Sequence, residues 1–130
     1  MPTRPLSPYL SVYKFRYTMV TSILNRFTGV ALSAGVLLLV YWLTAVAGGA
    51  HAHARAARLL SSPVAKLCYA GLMFAFSYHL IAGIRHLIWD TGRGLEREQA
   101  RRSAWLVGAL SVALTLVIGY CAWYGGTRAP

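Results

Sequence analysis

The sequence predicts an all-α integral membrane protein with three transmembrane helices, and three observations carry that prediction. The 130 residues are 57% hydrophobic and 12% charged, with a mean hydropathy of +0.50, whereas soluble domains carry about 25% charged residues. Three long uncharged runs dominate the chain, 27–50, 67–84 and 103–127. No alternation of apolar and polar residues competes with helical spans. One core of this size cannot hide so much apolar surface, so lipid or a large partner must cover the rest.

The elements follow in chain order. A hydrocarbon core about 30 Å thick takes about 20 helical residues, and the expected spans are 27–50, 65–88 and 103–125 within a single membrane domain, residues 1–130. Gly48 and Gly49 are expected to end the first span, since glycine terminates helices without a Cβ penalty. The Ala- and Arg-rich stretch from His51 to Leu60 is a candidate short surface helix. Ser61, Ser62 and Pro63 supply an N-cap and a first-turn proline for the second span. That span reaches full length if Arg85 and His86 lie at its inner end, where long side chains snorkel or pair. Gly125 and Gly126 are expected to close the third span, and Trp89, Trp105, Trp123 and Tyr124 fall near helix ends as an aromatic belt requires.

The formal net charge of +10 does not point to nucleic acid. Lys and Arg lie between or beside apolar runs, with no long basic tract and no interleaved base-stacking aromatics. Their distribution sets an orientation instead. Arg4, Lys14, Arg16, Arg26, Arg85, Arg93, Arg97, Arg101 and Arg102 fall on one side, nine of the 13 basic residues, and Arg55, Arg58, Lys66 and Arg128 on the other. The positive-inside rule then predicts a cytoplasmic N-terminus and an outer C-terminus. Three prolines and no apolar stretch occupy the first dozen residues, so no cleavable signal is expected. No Arg- and Ser-rich leader precedes the spans, which favours a bacterial inner membrane. Cys68 and Cys121 lack metal-ligand spacing and are expected to be packing residues.

Chemistry concentrates in the second span. His79, Gly83 and His86 are spaced i, i+4 and i+7 and share one helical face. An ionisable side chain within a membrane span is a functional hypothesis by default, and neutral imidazole is a good iron ligand. Gly83 removes a side chain where a flat macrocycle would approach the backbone. His86 stands about 10.5 Å further along the axis, within reach of a haem propionate edge, and Arg85 beside it offers charge-assisted hydrogen bonds to a carboxylate. The alternative is a histidine that hydrogen-bonds across helices. His79 is the one histidine at membrane depth, and Met73 lies on the same helix. A six-coordinate haem here would therefore need its second axial histidine from another chain.

A second constellation precedes the first span. Ser22 and Arg26 are i, i+4 neighbours, so a hydroxyl and a guanidinium face one spot at the inner boundary. They suit a quinone carbonyl oxygen; the alternative is a helix cap and a snorkelling flank.

With these motifs the chain resembles the cytochrome b subunit of succinate dehydrogenase, the membrane anchor of complex II. The likeness rests on the Arg4-Pro5-Leu6-Ser7-Pro8 start, the Ser22-Ile23-Leu24-Asn25-Arg26-Phe27-Thr28-Gly29 entry, the three spans, and the run from His79 through Gly83-Ile84-Arg85-His86-Leu87 to Asp90. The resemblance implies haem b with His79 as an axial ligand, a ubiquinone site lined by Ser22 and Arg26, and candidate propionate contacts from Arg26, Arg85 and His86. It implies a helical bundle completed by a second anchor subunit that supplies the other axial histidine. Iron–sulfur and flavoprotein subunits would dock on the cytoplasmic side. The family usually has histidine where this chain has Asn25, which donates and accepts hydrogen bonds but cannot carry a proton, so the resemblance assigns Asn25 no role. The chain itself has no catalytic residue for succinate: it lacks a flavin motif, and two cysteines cannot hold a cluster. The rival readings are an anchor of a quinol:fumarate reductase and a haem-free structural membrane subunit.

Overall fold

The computed structural model describes residues 17–127 as four helices in the order α1 (Tyr17–Ala47), α2 (Ala50–Leu60), α3 (Pro63–Asp90) and α4 (Arg97–Thr127), with no strand among the described residues. The Arg4–Pro8 motif, together with Lys14, Arg16 and Arg128, lies outside the described residues. Helices α1, α3 and α4 are each long and apolar enough to cross a membrane, and the chain is a multi-pass membrane protein. At 1.5 Å rise per residue, 28 to 31 residues give roughly 42–46 Å, longer than the ~30 Å hydrocarbon layer. The helices therefore run past the apolar layer on at least one side. That explains why α1 begins ten residues before the uncharged run at Phe27: hydropathy marks the span, while hydrogen bonding continues the helix into the headgroup region.

Local chemistry sets most of the boundaries. Gly49 adopts φ 85° as the N-cap residue of α2, a left-handed conformation that disfavours any side chain, so the backbone turns sharply from α1 into the short α2. Ser62 caps α3 by accepting the Ala65 amide at 3.2 Å, and Pro63 occupies the first turn as expected. Gly92 and Gly94 take positive φ in the short connection to α4, and Trp89 Nε1 donates to the Gly94 carbonyl at 3.1 Å. The expected stop at Gly125 and Gly126 is not observed, because α4 continues to Thr127. Glycine costs a helix only about 1 kcal/mol relative to alanine, too little by itself to end one.

Helix α3 is the central element and packs against both α1 and α4. Its contact with α4 is built on Tyr78, Ala82 and Val107, with Ile81 beside them. Ser77 and Ser111 are fully buried, and each donates to the carbonyl one turn back, at 2.9 and 2.6 Å. Small residues let two backbones approach closely where lipid provides no hydrophobic drive. On the other side the Tyr78 hydroxyl donates to the Thr21 carbonyl of α1 at 3.2 Å. Long runs of large apolar side chains, including Val36 to Leu39 on α1 and Leu116 and Val117 on α4, remain exposed on the chain itself. Cys68 and Cys121 are exposed too, so they do not pack within the chain as expected; both belong to the outward faces that lipid or a partner covers.

Candidate functional site

His79 is half-buried on α3 and turned toward α1. Its Nδ1 lies 3.1 Å from the Asn25 carbonyl and 3.3 Å from Thr28 Oγ1. A carbonyl only accepts, so Nδ1 carries the proton and, in the neutral ring, the lone pair is at Nε2. That is the tautomer a metal-ligating histidine adopts when its other nitrogen donates to a backbone carbonyl. The approach is close because Gly29 has no side chain: a Cβ there would sit 3.2 Å from His79 Cε1. One turn beyond His79, Gly83 faces open space, with nothing within 4 Å of where its Cβ would be. Asn25 Oδ1 is buried with no hydrogen-bond partner among the described residues. Among the described residues no three His, Cys, Asp or Glu side chains converge as a metal cage. The donor set is a single imidazole with a free lone pair beside a bare helix face, which fits one axial position of a planar macrocycle.

A small cavity of about 100 Å³ lies toward the C-terminal end of α3, lined by Thr21, Ser22, Tyr78, Ala82, Arg85, His86 and Trp89. The fold thus brings Ser22 on α1 together with Arg85 and His86 on α3. Arg26 is exposed and does not line this cavity. Ligand sites are typically about 300–1,000 Å³, so this cavity alone is too small to enclose a cofactor-sized ligand. Two bigger clefts, about 440 and 350 Å³, are lined almost entirely by apolar side chains such as Leu38, Trp42, Leu72 and Phe76, with no charged group.

Arg85 is only 7% exposed. Its Nε donates to Ser103 Oγ at 2.9 Å, its Nη2 donates to the Ala100 carbonyl at 2.8 Å, and its guanidinium lies 3.9 Å from the Trp89 ring centroid. Trp89 in turn meets the His86 ring edge-on at 5.3 Å. Sequence reasoning missed the roles of Thr28, Gly29 and Trp89. The signal for the first two was a small polar pair inside an apolar run, three and four residues after Asn25.

The sequence profile of the succinate dehydrogenase/fumarate reductase transmembrane subunit matches residues 1–118. The chain belongs to that family. It is 44% identical over 114 residues to the succinate dehydrogenase cytochrome b556 subunit of Paracoccus denitrificans, covering 88% of each chain. It is 36% identical to the subunit of the same name from Rickettsia felis, over 88% of this chain and 90% of the relative. The mitochondrial cytochrome b560 subunit of Sus scrofa is 39% identical over 84% of this chain and 66% of its own length. Its three long apolar helices agree with the description of the succinate dehydrogenase/fumarate reductase family as transmembrane subunits.

Proposed function

We propose that this chain is the membrane-anchor cytochrome b subunit of a succinate:ubiquinone oxidoreductase, holding one face of a haem b and one wall of the ubiquinone-reduction site. The observation that carries this reading is the His79 imidazole, whose Nδ1 is committed to the Asn25 carbonyl while Nε2 stays free. The names of the relatives, cytochrome b subunits of succinate dehydrogenase, support it.

His79 would be one axial ligand, and a second anchor subunit would give the other, since no further described histidine lies at membrane depth. Gly83 leaves room for a ring edge, and His86, Arg26 and Arg85 are the groups at hand for propionates. When bound, haem b supplies a one-electron store between the soluble subunits and quinone. The chain's own residues act at the boundary. Ser22 orients a quinone carbonyl by hydrogen bonding, and the Arg26 guanidinium stabilises negative charge as it develops on that oxygen. Arg26 is exposed on the chain itself, as a side chain must be if a partner or substrate is to cover it. Iron–sulfur and flavoprotein subunits would dock on the cytoplasmic side of a bacterial inner membrane, with this chain a single anchor domain whose C-terminus is periplasmic.

The test is the reduced-minus-oxidised visible spectrum of the solubilised complex. A b-type α-band that disappears in His79→Ala, with the subunits still recovered together, supports the cytochrome. A complex without that band leaves the structural-subunit reading.

A further inference from the structure

The histidine proposed as haem ligand is not held by its own helix. Both polar groups that meet Nδ1 come from α1, the Asn25 carbonyl at 3.1 Å and Thr28 Oγ1 at 3.3 Å. Thr28 is 5% exposed, and its hydroxyl also lies 2.9 Å from each of the Leu24 and Asn25 carbonyls. A hydroxyl has one proton and two lone pairs. The proton is drawn to the two carbonyls of its own helix, so a lone pair remains toward His79. Two acceptors therefore converge on one ring nitrogen.

From this we infer that Thr28 is a positioning residue for the haem iron: with the Asn25 carbonyl and the bare Cα of Gly29, it fixes the tautomer and azimuth of His79 and sets the basicity of Nε2. The inference rests on the haem reading above and adds to it a residue outside the histidine helix. Threonine is suited to this position because its hydroxyl donates its proton to the preceding turn and still offers a lone pair to His79. Valine has the same shape without the acceptor. Gly29 completes the seat, because a Cβ there would stand 3.2 Å from Cε1 and the ring or α1 would have to give by a few tenths of an ångström.

A second acceptor on the N–H side of a ligating imidazole makes the opposite nitrogen a stronger donor, and a stronger donor favours ferric iron. Removing it shifts the balance toward ferrous haem. The experiment is a redox titration of the b-type band in the solubilised complex carrying Thr28→Val, Thr28→Ser or Thr28→Ala. Thr28→Val should move the ferric/ferrous ratio at a fixed potential about threefold toward ferrous, the scale of one modest hydrogen bond. Thr28→Ala, which cannot overpack, should move it in the same direction, and Thr28→Ser should titrate like the wild type. An unmoved potential in both hydroxyl-free variants overturns the inference, as does a serine variant that shifts as far as valine, since packing would then be the cause. His79→Ala separates the two levels. If it keeps the band, the haem reading itself fails. If it loses the band while Thr28→Val and Thr28→Ala titrate like the wild type, only the role of Thr28 is lost.

Discussion

Arg85 Nε donates to Ser103 Oγ across 2.9 Å, which ties the C-terminal end of α3 to the first turns of α4. The same guanidinium reaches the Ala100 carbonyl at 2.8 Å and lies against Trp89. These three contacts fasten the hairpin that carries His79 and His86.

Arg85→Met should accordingly lower the thermal stability of the solubilised complex. Two hydrogen bonds from a charged donor are worth about 1.5–3 kcal/mol each at most, and competing partners in the membrane reduce this, so a loss of roughly 2–3 kcal/mol is expected. Arg85→Lys should fall between, because a point charge cannot serve both acceptors with the geometry of a fork. The measurement is the thermal midpoint of each variant. If Arg85→Met melts with the wild type but shifts the haem potential, the side chain serves a propionate instead.

Gly29→Ala should reduce haem per assembled complex severalfold. The added methyl would stand 3.2 Å from His79 Cε1, so either the ring or α1 must yield. Haem extracted per mole of purified complex is the measure. A full complement would mean that the two helices separate without disturbing the ligand.

Ser22→Ala and Arg26→Leu should impair ubiquinone reduction while leaving succinate oxidation by an artificial acceptor intact. Charge-assisted hydrogen bonds are roughly twice as strong as neutral ones, so Arg26→Leu should be the more damaging. Ser22 lines the small cavity between α1 and α3, and Arg26 is exposed one turn further along α1. Measuring both activities on one preparation decides the matter: normal ubiquinone reductase activity in Arg26→Leu would make that arginine a membrane flank.

A reporter fused after Pro130 should be active only when it requires export. The expectation comes from the nine-to-four split of basic residues. Cytoplasmic activity at that fusion point would invert the topology.

The three spanning helices were legible because lipid imposes one rule, a long apolar run with its backbone satisfied internally. The start of α3 was legible because Ser62 and Pro63 are a local signal that needs no tertiary partner. The extension of α1 ahead of Phe27, back at least to Tyr17, was not, since composition records where lipid ends and not where helical hydrogen bonding does. At the site, His79 stood out as an ionisable group in an apolar run, and its i+4 and i+7 neighbours followed from helical periodicity. Thr28 and Gly29 did not stand out. Their meaning depends on how α1 is rotated against α3, and many weak packing contacts set that angle. The same applies to Arg85: spacing put it near His86, but only the docked α4 reveals that Ser103 and Ala100 take its donors.

The short connection of α3 to α4, drawn tight by Trp89 and Gly94, bears on how the protein is made. Helix α1 leaves the ribosome first, yet the helix that it must touch follows only after α2 and the corner at Gly49. Helices α3 and α4, by contrast, are joined closely enough to enter the bilayer as a hairpin, with Arg85 meeting Ser103 inside that unit. The contact of the Asn25 carbonyl with His79 joins α1 to α3, so on that order it would form after the hairpin, and the setting of the His79 ring would be the last step of the chain's own packing.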